Sequence, residues 1–418
     1  MAPAKKQTPK TAVGPQRQST ETQRAWRGAP LWELNLLGDA GAAASPLRAV
    51  HELVEPGAWD VIVDVRSEDE YALDHLPGAI NRPVLDNAER IAVGTLHSTD
   101  SFEARRLGAG LVAKNLAAIL TRPPFGGAAA AGGESVLGRD ARVLVYCWRG
   151  GERSGALAQA LWRIGWHVTL LAGGWKSYRR CVMAAMEGLG AFEYAVVGGP
   201  TGVGKGQVLD ELRAAGAQVL DLEGLAHHYG SILGFVPAAA GGYAPQPSQK
   251  AFETRVAVAF AALDPARPVF VEGEGKRIGV VETPRAVHLA MRAAPRVSVT
   301  LDRPARVARI RRQYAHFEGS HVAELLDALG RLTEAVGHKV VDRWAAQVEA
   351  GEWDAFVDDL LERHYDPGYA KAAARDHDAA LAPPIVAMPL AEGGADEAYR
   401  ELARALVAWG AARKPDSS

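Results

Sequence analysis

Hydrophobic positions along the chain fall into two alternating regimes. Short apolar runs of strand length, "WDVIVDVR", "RVLVYC" and "GWHVTLLAGG", are separated by stretches such as "SEDEYALDHL", a capped helix by its Ser/Asp/Glu start. Runs apolar on every position belong to strands buried on both faces, and their alternation with helices predicts a parallel sheet covered by helices. A second series of strand candidates follows, "YAVVGGP", "AQVLDLE", "PVFVEGE" and "RVSVTLD". From about residue 318 the pattern is helical, with Trp344, Trp353, Phe356 and Leu360 as its apolar markers. No repeat of solenoid period occurs. The expected class is α/β: an N-terminal parallel-sheet domain over 31–185, a second α/β domain over 190–317 and a helical C-terminal region over 318–412.

Three stretches fall outside this pattern. Residues 1–30 lack periodicity and hold six Lys or Arg against one acid, which reads as a disordered basic tail or as an organelle transit peptide. "FGGAAAAGGES" (125–135) and "PAAAGGYAP" (237–245) have too little side chain to pack and are expected to be surface-loop insertions.

Composition narrows the class without naming a function. The 418 residues are 48% hydrophobic and 23% charged, with a formal net charge of −2, so a nucleic-acid surface would have to be local. Two cysteines exclude a disulfide framework and suit a reducing compartment. No apolar run reaches the roughly 18 residues a membrane span needs. The expectation is a cytoplasmic protein, or an organellar one if the tail is a transit peptide.

Chemistry enters at "VLVYCWRGGERSGALAQALWRIG" (143–165), where a strand ends in Cys147 and a glycine-rich loop leads straight into a helix. Loop amides, the positive helix end and the cations Arg149 and Arg153 would favour the thiolate, the nucleophilic form. Gly150 and Gly151 let the amides turn inward. Cys181 lacks such surroundings and reads as packing. "VVGGPTGVGKG" is a strand running into Gly-x-x-x-x-Gly-Lys, the frame of a P-loop, with Gly199, Thr201, Gly202, Gly204 and Lys205 as diphosphate-binding candidates. Gly206 stands where a P-loop normally carries the Ser or Thr that ligates Mg2+. Phosphate binding survives that change, whereas nucleotide hydrolysis is weakened.

"VIVDVRSEDEYALDHLPGAIN", "VYCWRGGERSGALAQAL" and "LLAGGWKSY", in that order, resemble a rhodanese domain. The resemblance implies that Cys147 carries sulfur or selenium, that Asp64 and Arg66 buttress the strand end, and that His75 to Asn81 form the characteristic turn. The fusion of such a domain to a P-loop is more specific. "DLEGLAHHYGSILG" (221–234), "QPSQKAFE" (246–253), "VEGEGKRIG" (271–279) and "HYDPGY" (364–369) all resemble tRNA 2-selenouridine synthases, over about residues 58–375. The family pattern Glu-x-Glu-Ser-Arg here ends in Gly275 and Lys276, which keeps the charge but not the guanidinium fork.

That resemblance implies a two-step reaction on wobble 2-thiouridine in tRNA. The sulfur is alkylated by geranyl diphosphate, and selenium from selenophosphate then displaces the S-geranyl group. No cofactor is expected to be tightly bound and no structural metal is expected, with Mg2+ left open as a companion ion.

The remaining candidates are supporting ones. Glu272 and Glu274 follow a strand beside the phosphate loop, and Asp221 and Glu223 end another. His227 and His228 are adjacent, so on a helix they point about 100° apart and would not share one metal. Arg306 and Arg309, with Arg312, would form a basic stripe on one helix face for RNA or diphosphate, with Tyr314, His316 and Phe317 as stacking surface. Trp148, beside the cysteine, could stack on a flipped-out uridine or on an isoprenyl chain, or simply pack. The competing function class is a P-loop kinase or ATPase with a sulfur-carrier module.

Overall fold

The computed structural model of the protein describes residues 20–26, 29–36, 45–127, 136–230, 234, 245–273, 275–319, 321–376, 386–389 and 396–411. The chain divides into two units, Met1–Val182 and Met183–Ser418.

The first unit runs β1 (Thr20–Trp26), β2 (Ala29–Asn35), α1 (Pro46–Val54), β3 (Val61–Asp64), α2 (Glu68–Leu73), β4 (Ala79–Asn81), α3 (Asn87–His97), α4 (Ser101–Leu120), β5 (Arg142–Tyr146), α5 (Glu152–Ile164) and β6 (His167–Leu171), and ends within α6 (Gly174–Gly188). Its sheet has the order β1-β2-β6-β5-β3-β4, parallel except for the β1–β2 hairpin. The uniformly apolar runs become the central strands: Val63, Val143, Leu144 and Val145 are fully buried. Register sets Asp64 opposite Tyr146, so the residues that follow β3 and β5 leave the sheet side by side. Helix α2 begins at Ser67, whose amide donates to Glu70 Oε2 at 3.2 Å.

Two expectations for this unit need correction. Residues Thr20–Trp26, expected in a structureless tail, form β1. An edge strand pairs through its backbone and needs no apolar face, so its polar sequence hid it. Phe125, expected in a loop without packing, is buried against Trp166 at a ring separation of 5.7 Å; residues 128–135 lie outside the described residues, as do 1–19.

The second unit runs β7 (Tyr194–Gly198), α7 (Lys205–Ala214), β8 (Gln218–Leu220), α8 (Leu222–Ala226), α9 (Gln249–Ala261), β9 (Val269–Glu272), a small hairpin of β10 (Arg277–Ile278) and β11 (Val281–Glu282), α10 (Arg285–Ala293) and β12 (Arg296–Thr300). There follow α11 (Arg303–Gln313), a 3-10 turn (Ala315–Glu318), α12 (Val322–Gly330), α13 (Thr333–Val336), α14 (His338–Glu349), α15 (Trp353–Leu360), a π-helical turn (Leu361–Tyr365), α16 (Asp366–Asp376), β13 (Val386–Pro389) and α17 (Asp396–Ala411). The parallel sheet has the order β13-β12-β7-β9-β8.

The C-terminal region is therefore not wholly helical: β13 joins the sheet beside β12, and α17 closes its core. Tyr399, Leu402 and Leu406 of α17 share one apolar cluster with Val208 and Leu212 of α7 and Val297 of β12. A short strand that pairs only with a partner nearly 90 residues earlier leaves no local periodicity to read. The helices between form a second cluster around Trp344, Phe356 and Leu360. Among the described residues no helix is long and apolar enough to cross a membrane. Both units are thus α/β, with a helical region appended to the second.

Candidate active site

Cys147 is the first residue after β5, and its sulfur faces its own loop. The Gly151 amide donates to Sγ at 3.3 Å and Ser154 Oγ lies 3.2 Å from it. Ser154 Oγ also lies 3.1 Å from the Gly151 carbonyl, so its single proton serves either sulfur or oxygen. Gly150 adopts φ +69°, and a Cβ there would stand 2.8 Å from the Leu171 carbonyl, so the loop closes only with glycine. The thiol is 3% exposed.

Behind it, Arg66 grips Asp64 through Nη2 to Oδ2 at 2.6 Å and Nε at 3.0 Å, and Nη2 also reaches the Asp74 carbonyl. Both side chains are fully buried. Burial pulls the guanidinium pKa down, but the hydrogen bond and charge of Asp64 outweigh it and the net shift is upward. Trp175 stacks on Trp148 at 4.7 Å and donates Nε1 to Asp74 Oδ2. Trp148 is thereby half-buried on one side of the cysteine loop.

The two arginines expected to flank the sulfur behave differently. Arg149 is exposed, whereas Arg153 pairs with Glu70 at 2.8 Å. Burial pushes the Glu70 carboxyl up, yet Arg153, the Ser67 amide and Arg90 pull it below its usual range. Arg153 thus braces α2 against α5, and the contacts to sulfur come from an amide and a hydroxyl. Ser154 was not singled out from the sequence; a hydroxyl in the first turn of a helix that starts at a nucleophile's loop is the signal for it.

The second unit holds the phosphate loop, Gly199–Gly204, between β7 and α7. Gly202 and Gly204 have φ +84° and +86°, left-handed backbone that L-residues rarely adopt. Lys205 opens α7, half-buried. The loop lines a cavity of about 810 Å3, in the range of small-molecule sites. Thr201, Gly202, Gly204 and Lys205 contribute to its lining, as do Asp221 and Glu223. Phe317, Leu325, Trp353, Phe356, Leu360 and Leu361, members of one apolar cluster, also line the cavity as its apolar floor, together with Tyr229, Tyr314, Tyr365 and Tyr369. Tyr314 stacks on Phe317 at 6.0 Å and meets Tyr229 edge-on at 6.3 Å. His364, in the π-helical turn, also lines the cavity, and burial pushes its pKa down. His316 is likewise lowered, by burial and by His321, and tilts against Phe317 at 4.2 Å.

Supporting residues sort by what they touch. Asp221 caps α8, accepting the Gly224 amide at 2.7 Å. Glu272 is 2% exposed and accepts the Glu223 amide at 2.7 Å, so it braces the backbone beside the cavity. His227 ends α8 in left-handed conformation at φ +53°. Glu274 lies outside the described residues.

The expected basic stripe is split. Arg306 is 5% exposed, pairs with Asp366 and donates Nε to the Thr201 carbonyl at 2.8 Å, so it ties the phosphate loop to α16 and presents no charge to solvent. Arg309 and Arg312 do line the cavity. The apolar floor was not assembled from the sequence, because its residues are scattered from Phe317 to Leu361 and carry no motif.

Comparison with known proteins agrees with this layout. Residues 47–181 match the rhodanese-like domain, and residues 192–382 match the tRNA 2-selenouridine synthase AAA domain. The tRNA 2-selenouridine synthase of Chromohalobacter salexigens is 34% identical over 254 residues, 60% of this chain and 64% of that protein. Those of Cupriavidus necator and Cupriavidus pinatubonensis are 31% and 32% identical over 340 and 351 residues, 74% and 75% of this chain and 87% and 90% of theirs. Among solved structures, the N-terminal domain of a protein described as ATP/GTP binding from Clostridium difficile 630 is 35% identical over 29% of this chain and 88% of its own, with a TM-score of 0.25, too low to carry a structural argument. A rhodanese-like unit followed by this phosphate-loop unit, matched across both by relatives of nearly full length, assigns the chain to the tRNA 2-selenouridine synthase family.

Proposed function

We propose that the protein converts the wobble 2-thiouridine of tRNA to 2-selenouridine through an S-geranyl-2-thiouridine intermediate. In the first step the thiocarbonyl sulfur attacks C1 of geranyl diphosphate. The C–S bond forms, the C–O bond breaks, pyrophosphate departs and the N3 proton is released. In the second step selenophosphate adds through selenium at C2 and the sulfur leaves with its geranyl group as the thiol; water then cleaves the Se–P bond, releasing phosphate and returning the proton to N3. A bare thiocarbonyl sulfur is a poor leaving group; alkylation makes it a good one.

The observation that carries the reading is the composition of the cavity: one cavity is lined both by the phosphate loop and by a set of apolar side chains. A geranyl diphosphate combines the matching two parts. Burying its ten carbons at about 0.8 kcal/mol each would contribute roughly 8 kcal/mol before ordering costs, enough to make the tail a main source of affinity. Lys205 and the loop amides are assigned to the departing pyrophosphate, where negative charge grows. Cys147 is assigned to the second step as a nucleophile, with Gly151 and Ser154 holding the sulfur. Gly206 disfavours the kinase or ATPase alternative, which leans on a well-held metal. The test is incubation of the protein with 2-thiouridine-containing tRNA, geranyl diphosphate and selenophosphate, followed by nucleoside mass spectrometry. Formation of 2-selenouridine only when both co-substrates are present is expected; selenouridine formed without geranyl diphosphate would refute the two-step route.

A further inference from the structure

A P-loop ordinarily neutralises its phosphates with a lysine and with Mg2+, the ion being held by the hydroxyl that follows the lysine. The residues here do not fit that ion. Gly206 offers no ligand, although a Cβ there would meet nothing within 4 Å, so crowding does not explain the glycine. Asp221 and Glu272 each hold a backbone amide through one oxygen, those of Gly224 and Glu223. Among the described residues no group of three or more His, Cys, Asp or Glu could hold a metal ion.

Helix α11 carries five arginines, and their pairing divides them. Arg303 pairs with Glu362 at 3.0 Å, Arg306 with Asp366, and Arg311 with Glu318 and Asp354 at 2.8 and 2.9 Å. Arg309 and Arg312 have no carboxylate partner among the described residues, and both line the cavity. Arg309 is also fixed in place. Its guanidinium lies 5.2 Å over the Tyr399 ring, its Nη1 donates to Gln207 Oε1, and Tyr399 OH donates to the Val203 carbonyl at 2.9 Å. A Cβ on Gly204, the residue before Lys205, would stand 2.7 Å from Arg309 Cζ. The guanidinium is therefore packed against the turn that receives the phosphates.

We infer that Arg309, assisted by Arg312, supplies the counter-charge that a P-loop usually draws from Mg2+, so that the diphosphate is bound without a metal. The inference rests on the reading of this cavity as a diphosphate site. A diphosphate ester near neutral pH carries about three negative charges, and Lys205, Arg309 and Arg312 bring three positive ones.

Calorimetric titration of the full-length protein with geranyl diphosphate, in EDTA and again in excess Mg2+, tests it. Wild-type affinity should agree within about threefold between the two buffers. In EDTA, Arg309→Gln should weaken binding at least about tenfold, as expected for a lost charge-assisted contact, and Arg309→Lys should recover part of the loss. Should Arg309→Gln fail to fold, exposed Arg312→Gln carries the test, with an expected loss of about threefold or more. Gly206→Ser should make affinity respond to Mg2+. Wild-type binding that requires Mg2+, or full affinity in the arginine variants, overturns the inference and leaves the cavity reading standing. Absence of binding in both buffers overturns the cavity reading itself, and the inference with it.

Discussion

The hydroxyl of Ser154 stands 3.2 Å from the sulfur of Cys147, on the first turn of the helix that follows the cysteine loop. With the Gly151 amide it gives the sulfur two donors from one continuous segment. Removing the hydroxyl by Ser154→Ala takes away one hydrogen bond to the thiolate, worth about 1 kcal/mol. Alkylation of Cys147 by iodoacetamide at neutral pH should slow about fivefold, with the unfolding midpoint little changed. An unchanged rate would show that the hydroxyl stays on the Gly151 carbonyl and leaves sulfur alone.

The Asp64–Arg66 pair predicts a stability effect separate from chemistry. Asp64→Asn leaves the fully buried Arg66 without its counter-charge, and breaking such a pair costs about 3–5 kcal/mol. Chemical denaturation followed by tryptophan fluorescence should show that loss. A cost below about 1 kcal/mol would mean that water reaches the pair.

Glu70 and Arg153 predict a pH dependence. The folded carboxyl titrates below its ordinary value of 4.5, so the pair stabilises the fold fully above that value. The contribution disappears as pH falls through the lowered folded value. Glu70→Gln should therefore cost about 1 kcal/mol near neutral pH, and the gap to wild type should close as acid is added. A gap that stays constant from pH 7 to pH 3 would contradict the pairing.

The apolar floor predicts a split between head and tail. Trp353 lines the cavity but is only half-buried, so its truncation is tolerable to the fold. Trp353→Ala should weaken geranyl diphosphate about tenfold or more, from lost apolar burial, while inorganic pyrophosphate binds as before. Equal weakening of both ligands would place the tail elsewhere.

What was readable in advance divides along physical lines. Strands β3, β5 and β6 are buried on both faces, so apolar runs announced them. The cysteine loop and the P-loop frame were legible because their glycines and their cysteine or lysine are contiguous in the sequence. Long-range pairings were not. Arg153 meets Glu70 across 83 residues and Arg306 meets Asp366 across 60, and no local pattern tells a paired arginine from a free one. Strand β13 and the packing of Tyr399 beneath the phosphate loop are likewise products of topology, invisible to periodicity.

The most direct measurement is nucleoside mass spectrometry of 2-thiouridine tRNA after reaction with geranyl diphosphate and selenophosphate, run in parallel on wild type, Lys205→Ala and Cys147→Ala. Wild type should yield 2-selenouridine, Lys205→Ala should leave 2-thiouridine largely unmodified, and Cys147→Ala should accumulate S-geranyl-2-thiouridine. Full selenouridine yield from the cysteine variant, or undiminished geranylation by the lysine variant, would contradict the division of labour between the two loops.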